Sequence, residues 1–169
     1  MGGGFLVVGD ELWFYFSART LQKPLDGVFS TGLAKLRRDG FYSMDAGATE
    51  GTLQTRTVTF TGNHLFVNAD TSNGQLSVEA LDENGNVLPG FSKANCTPLH
   101  VNKTLQQVTW PGGNLGTLSG KKVKFKFYLT NGSLYSFWVT PSAQGASYGY
   151  VAAGGPGFTS VIDTVGAAH

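Results

Sequence analysis

Charged residues are scarce in this chain of 169 residues. They make up 14% of it, against roughly 25% in typical soluble domains. Twelve Lys and Arg residues against eleven Asp and Glu residues leave a net charge of +1. The sequence therefore has no basic field that would attract nucleic acid or an anionic membrane, and we predict neither as a partner.

Cysteine and long apolar runs are also scarce. Cys96 is the sole cysteine, so no intrachain disulfide can form, and we interpret this residue as a small buried thiol. No apolar run approaches the roughly 20 residues needed to cross a bilayer. The first eight residues lack the basic start of a signal peptide and resemble a cut end.

Recognisable cofactor motifs are missing as well. The three histidines have no zinc spacing, and there is no P-loop, dinucleotide fingerprint or Gly-x-Ser-x-Gly motif. Residues 82–86 (DENGN) imitate the start of a calcium loop, but the glycine and the distal glutamate are misplaced. Their Asn-Gly pair predicts a hairpin turn instead. We predict no cofactor, with a structural calcium elsewhere left open.

Glycine and aromatic residues are abundant, with 24 Gly, 12 Phe, 6 Tyr and 3 Trp. Turn signals recur about every ten residues, which is typical of an antiparallel sandwich or barrel. No stretch has the period of a long helix. We predict an all-β, jelly-roll-like antiparallel β-sandwich, with strands at 51–60, 64–69, 75–81, 105–110, 122–130 and 133–140.

The N-terminal part differs in composition from the rest. Residues 5–18 predict two short strands around Gly9-Asp10, whereas residues 31–38 allow a strand or two turns of helix. We place an N-terminal β extension at 1–38 and the sandwich domain at 39–169, with a Gly-rich tail from Pro141 onward. Open edges of the N-terminal strands predict a homodimer through this segment.

One predicted hairpin, at 122–140, suggests a binding platform. If Asn131-Gly132 is a two-residue turn, Tyr128 and Tyr135 lie side by side on one face. That face also carries Lys124 and Lys126 and is therefore the wetter one. Two rings near solvent would suit the apolar faces of sugar rings.

Two tryptophans are further candidates for sugar stacking. Trp110 lies in the loop sequence Trp-Pro-Gly-Gly, which predicts an exposed loop tip, and Trp13 lies in the N-terminal part. The alternative for each aromatic residue is an ordinary place in the core or at its rim.

Paired carboxylates are the alternative from the enzyme class. Glycosidases place two carboxyl groups about 5–10 Å apart. Glu79 is the sole acid inside a predicted strand, where it would share a face with Ser77 and Leu81. A small glycanase would use Glu79 together with Asp45 or Asp70.

Several phrases of the sequence resemble one family. Residues 32–41 (GLAKLRRDGF) and 43–47 (SMDAG) resemble the junction after the last propeller blade in bacterial proteins that are like glycoside hydrolase families 32 and 43. Residues 64–68 (HLFVN), 88–92 (LPGFS) and 131–138 (NGSLYSFW) resemble the C-terminal β-sandwich of that group, and residues 150–158 (YVAAGGPGF) resemble its tail.

This resemblance has three implications. Residues 5–36 would be strands left from a propeller blade, the catalytic propeller itself would be missing, and no catalytic residue could be carried over. The parent protein would be secreted or periplasmic, with the sandwich as an accessory domain. Our leading hypothesis is non-catalytic binding of a polysaccharide or oligosaccharide by Trp110, Tyr128 and Tyr135, helped by Lys124, Lys126 and Glu79. The alternatives are the glycanase and a purely structural domain that braces a neighbour.

Overall fold

The computed structural model describes residues 4–19, 29–151 and 153–165. Within these ranges the chain forms ten strands and two short 3₁₀ turns. The strands are β1 Phe5–Val8, β2 Glu11–Arg19, β3 Phe29–Arg37, β4 Met44–Ala46, β5 Gly51–Gln54, β6 His64–Asp70, β7 Gln75–Leu81, β8 Asn102–Val108, β9 Lys124–Thr130 and β10 Gly132–Thr140; the turns are Lys93–Asn95 and Leu115–Leu118. The predicted all-β class is confirmed. Among these residues no helix is long and apolar enough to span a membrane.

The first three strands form a separate antiparallel sheet in the order β1-β2-β3. Gly9, with a φ of 58°, makes the tight turn between β1 and β2. The two predicted N-terminal strands are confirmed, and the ambiguous segment 31–38 is a strand through Arg37 rather than a helix. Residues 1–3 and 20–28 of the predicted extension lie outside the described residues.

The other seven strands form two sheets, in the orders β4-β10-β6-β8 and β5-β9-β7. Successive strands from β4 to β10 alternate between these sheets, and the first and last strands are neighbours in one sheet. This is the connectivity of a jelly roll. The free edge of β7 is covered by the irregular segment 87–99, through the bridges Leu81↔Val87 and Leu76↔Leu99.

This alternation overturns the predicted hairpin at 122–140. β9 pairs with β5 and β7, whereas β10 pairs with β4 and β6. Asn131 (φ 43°) and Gly132 therefore carry the chain from one sheet to the other. A Cβ on Gly132 would lie 2.6 Å from the Asp70 carbonyl oxygen, so this crossing needs glycine.

The core lies between the two sheets of the sandwich. Alternate residues of β7 and β9 point inward and are buried, namely Leu76, Val78, Ala80, Phe125, Phe127 and Leu129. Burial of a phenylalanine or leucine side chain contributes about 1.5–3 kcal/mol, so this double row is a main source of stability. Cys96 is buried beside it, as predicted, and burial raises the pKa of its thiol.

A β-bulge in β10 changes which residues face the core. The register with β6 shifts between Leu134 and Ser136, so that Phe137 points inward, with its ring centroid 4.9 Å from that of Phe127. Trp138 points outward and stacks on Phe66 at 5.8 Å. Leu134 and Trp138 therefore lie on opposite faces of the sheet, although a regular strand would place residues four apart on the same face.

The N-terminal sheet packs on the outer face of the sheet β4-β10-β6-β8. Arg37 Nε donates to Asn68 Oδ1 at 2.6 Å, and another guanidinium nitrogen of Arg37 donates to the Ala69 carbonyl oxygen at 3.0 Å. Thr104 in β8 donates a hydrogen bond to Asp10. The tail follows over the same face, where the Gly154 carbonyl accepts from the backbone of Val7 at 3.0 Å.

Candidate functional site

The outer face of the sheet β5-β9-β7 carries most of the predicted binding residues. Tyr128 lies in the middle of this sheet, opposite Thr52 of β5 on one side and Ser77 of β7 on the other. Lys126, one pleat away, lies between Gln54 and Glu79. We call the surface formed by Thr52, Gln54, Glu79, Lys126 and Tyr128 the Tyr128 face. Thr52 and Gln54 are exposed, and the other three residues are half-buried.

Glu79 fixes the orientation of the Tyr128 ring. The Tyr128 hydroxyl donates to Glu79 Oε2 at 2.5 Å, and the backbone N–H of Lys93 donates to Glu79 Oε1 at 3.0 Å. One carboxylate therefore holds both the ring and the 3₁₀ turn Lys93–Asn95 beside it. The ring is presented with its position set before any ligand arrives.

Two ammonium groups lie against the same ring. Lys93 Nζ is 4.5 Å and Lys126 Nζ is 4.9 Å from its centroid. Exposed cation–π contacts of this kind contribute about 0.5–1 kcal/mol each. Lys93 also pairs with Glu50 at 2.7 Å. Sequence reasoning missed Lys93 and Glu50, because both come from irregular segments that periodicity does not place.

The electrostatics of the face keep the phenol protonated. Burial is the largest cause that raises the pKa of Tyr128 above 10.0, and its hydrogen bond to Glu79 adds to the effect. At neutral pH the hydroxyl is therefore a hydrogen-bond donor to Glu79, and the face presents an uncharged ring among charged groups.

The carboxylate pairs of the glycanase alternative are not brought together. Glu79 points outward from one sheet, whereas Asp45 and Asp70 belong to β4 and β6 of the other sheet, and packed sheets lie about 10 Å apart. Hydrogen bonds from Ser133 and Ser43 lower the pKa of Asp45, and those from Ser72 lower that of Asp70. The geometry therefore does not support a glycanase.

Trp110 is not at an exposed loop tip. Its side chain is buried, its indole N–H donates to the Val78 carbonyl oxygen at 2.9 Å, and its ring meets Phe91 edge-on at 5.4 Å. The turn residues that follow are exposed, but the indole itself completes the core. We therefore remove Trp110 from the set of binding candidates.

The remaining candidates lie apart from the Tyr128 ring. Tyr135 belongs to β10 in the other sheet, where the Arg37 guanidinium lies 4.7 Å above its ring. Lys124 lies at the start of β9 and donates to the Glu83 carbonyl oxygen at 2.8 Å. Trp13, in the N-terminal sheet, donates to Glu11 at 2.8 Å and has the Lys35 ammonium 4.6 Å from its ring. The predicted pair of tyrosines is therefore a single tyrosine.

The residues that resemble a calcium loop form a closed turn. One carboxylate oxygen of Asp82 accepts from the backbone N–H groups of Asn84 and Asn86, both at 2.8 Å, and the other accepts from the Asn86 side chain at 2.9 Å. These bonds lower the pKa of Asp82. Over the described residues, no group of three or more His, Cys, Asp and Glu side chains could hold a metal ion.

No family model, curated protein or solved structure matches this chain. The resemblance to the accessory sandwich of glycosidases therefore stays a prediction.

Proposed function

We propose that this chain binds a polysaccharide or oligosaccharide through the Tyr128 face. The observation that supports this most is the half-buried tyrosine ring that Glu79 holds on the polar outer face of the sheet β5-β9-β7. A sugar ring presents apolar C–H groups on its faces and hydroxyls at its edge. An aromatic ring that is surrounded by amide, hydroxyl and ammonium groups complements both.

The polar groups around the ring would bind the sugar hydroxyls. Thr52 and Gln54 are exposed on β5, and Lys126 is half-buried on β9 between them and Glu79. The lysine side chains are long and flexible, so the ammonium groups over the Tyr128 ring can move aside and bind hydroxyls at the edge of the sugar. Binding thus replaces two weak cation–π contacts by stacking and hydrogen bonds.

Affinity gel electrophoresis tests this proposal. Native gels that contain hydroxyethyl cellulose, xylan or mixed-linkage glucan should retard the chain on at least one glycan. Tyr128→Ala should migrate as in a gel without glycan. Tyr42→Ala is the matched control, because Tyr42 is 89% exposed and lies just before β4, a strand of the other sheet; its retardation should equal that of the wild type. Unretarded wild type on every glycan would overturn the proposal.

We also propose that the domain serves as an accessory domain of a modular glycosidase that is secreted or periplasmic. The phrases at residues 32–41, 43–47, 131–138 and 150–158 support this. The structure adds that residues 5–8, 11–19 and 29–37 form strands of their own sheet, outside the sandwich.

A bracing domain is a second candidate, favoured by the Arg37 contacts. They tie one end of the N-terminal sheet to the sandwich, while Tyr15, Phe16 and Phe29 stay half-exposed or more at its other end. If the domain braces a neighbour and binds no glycan, the chain should migrate unretarded in every glycan gel. The amides of the N-terminal sheet should then be as protected from hydrogen exchange as those of the sandwich. Fast exchange throughout β1, β2 and β3 would contradict it.

A further inference from the structure

A cavity of about 190 Å³ lies between the N-terminal sheet, the outer face of the sheet β4-β10-β6-β8 and the tail. It is remote from the Tyr128 face, because that face belongs to the opposite sheet of the sandwich. Residues from β1, β2, β8, β10 and the tail line it, among them Phe5, Leu12, Thr104, Trp138 and Tyr150.

One side of the cavity is aromatic and rigid. The Trp138 indole N–H donates to the Gly145 carbonyl oxygen at 3.0 Å, and its ring stacks on Phe66. Gly145 has a φ of 86°, and a Cβ there would lie 2.6 Å from Leu105 Cδ1, so this contact needs glycine. Phe5 is steadied by Phe14, with centroids 5.0 Å apart. The cavity thus presents flat apolar surface in a fixed position.

The other side is polar, and there Arg38 lies between two carboxylates, Asp163 and, at 3.8 Å, Asp39. Arg38 pairs with Asp163 at 3.2 Å, with side-chain exposures of 17% and 8%. The Ser147 hydroxyl donates to the same carboxylate at 2.9 Å, and the Ser136 side chain borders the space. An ionic ligand would pair with either Arg38 or Asp163 and compete with the other for it. The charge left without its partner would destabilise the complex at this half-buried site. The Asp39 side chain is 70% exposed, so water screens its charge. The more buried Arg38–Asp163 pair has no net charge and favours a neutral ligand that bears hydroxyl groups.

The volume of the cavity limits the size of its ligand. A protein cavity of about 150 Å³ is known to hold one benzene ring, so this cavity admits one six-membered ring with small substituents. We propose that it binds a single neutral sugar ring, either a free monosaccharide or the terminal unit of a glycan. The apolar face of the sugar would lie on Trp138, and its hydroxyls would meet Arg38, Ser136 and Ser147. This site does not depend on binding at the Tyr128 face.

The test follows the Trp138 indole N–H resonance in ¹⁵N-labelled protein, assigned with Trp138→Phe. The intact chain is titrated with methyl β-glucoside, methyl β-galactoside and methyl α-mannoside, then with cellobiose and xylobiose. At least one should shift the resonance saturably. Disaccharides that bind at least as tightly as the glycosides identify the end of a glycan, and tighter binding of the glycosides identifies a free sugar.

Ser136→Leu should raise the dissociation constant obtained from this titration about tenfold or more. Even one extra methylene group that does not fit a pocket has an effect of this size. Ser17→Leu, the same change at an exposed position of β2, should bind like the wild type. Ser136→Val replaces the first variant if that one does not fold. No shift with any sugar would overturn the proposal, as would wild-type binding by the folded Ser136 variant. If Tyr128→Ala loses gel retardation but keeps the sugar-induced shift of the Trp138 resonance, the Tyr128 face and the cavity are separate sites.

Discussion

Replacing Arg37 by alanine should loosen the N-terminal sheet from the sandwich. This guanidinium makes three hydrogen bonds across the interface, to Asn68 Oδ1 at 2.6 Å, to the Ala69 carbonyl at 3.0 Å and to Asn102 Oδ1. In the variant the Asn68 side chain, which is 1% exposed, loses its charged donor and stays buried.

The size of the destabilisation depends on whether water can replace Arg37 as the donor to each acceptor. A hydrogen bond to a charged group contributes about 1.5–3 kcal/mol. Asn102 is exposed, so water replaces that bond at little cost. The two bonds to Asn68 and Ala69 remain, and we expect their loss to destabilise the docked sheet by about 3 kcal/mol.

Native-state hydrogen exchange is the appropriate assay, because the loss is local. Amides of β1, β2 and β3 should exchange roughly a hundredfold faster in Arg37→Ala, as a change of about 3 kcal/mol implies, while those of β9 keep their protection. Arg56→Ala, a matched change at an exposed arginine, should leave both unchanged. Equal exchange in the two variants, or an equal rise in β9, would refute the reasoning.

Three further predictions concern stability and assembly. A Cβ on Gly62, where φ is 130°, would lie 2.5 Å from the Thr140 carbonyl carbon, so Gly62→Ala should lower the free energy of unfolding by about 2 kcal/mol or more. Gly47→Ala, with no atom within 4 Å of the new Cβ, is the control and should have a urea midpoint close to that of the wild type. Equal midpoints for Gly62→Ala and Gly47→Ala would contradict this prediction. The turn holds the pKa of Asp82 below 3.8, so its charge stabilises the fold above that pH and this contribution is lost as pH falls through the folded value. The deficit of Asp82→Asn in urea midpoint should therefore shrink in acid, and a deficit independent of pH would refute this cause. The third strand, Phe29–Arg37, has an unpaired edge in the described sheet, and light scattering should find a dimer that dissociates in a Ser30→Pro variant; a strict wild-type monomer would refute it.

Alternation along the strands was enough to predict the two faces of the sheet that carries Tyr128. In β7, Leu76, Val78 and Ala80 pack in the core, and Glu79 lies on the opposite face from them. A period of two places each side chain on one face whatever the strand pairs with. The fold class followed from the same local information.

Pairing between strands was not predictable in the same way. Asn-Gly at 131–132 is a strong local hairpin signal, yet here it carries the chain between sheets, because β9 and β10 each pair with partners distant in sequence. The loop residues after Trp110 indicated a turn but not the place of the indole, which depends on an acceptor at Val78. The Lys93 contact with Glu79 likewise joins segments that no periodicity relates.

A glycan array probed with the intact chain, with and without calcium, tests carbohydrate binding most directly. We expect a signal on at least one neutral glycan that Tyr128→Ala abolishes, that Tyr42→Ala retains and that chelation of calcium leaves unchanged. An array without signal, or equal signals for wild type and Tyr128→Ala, would contradict binding through the Tyr128 face.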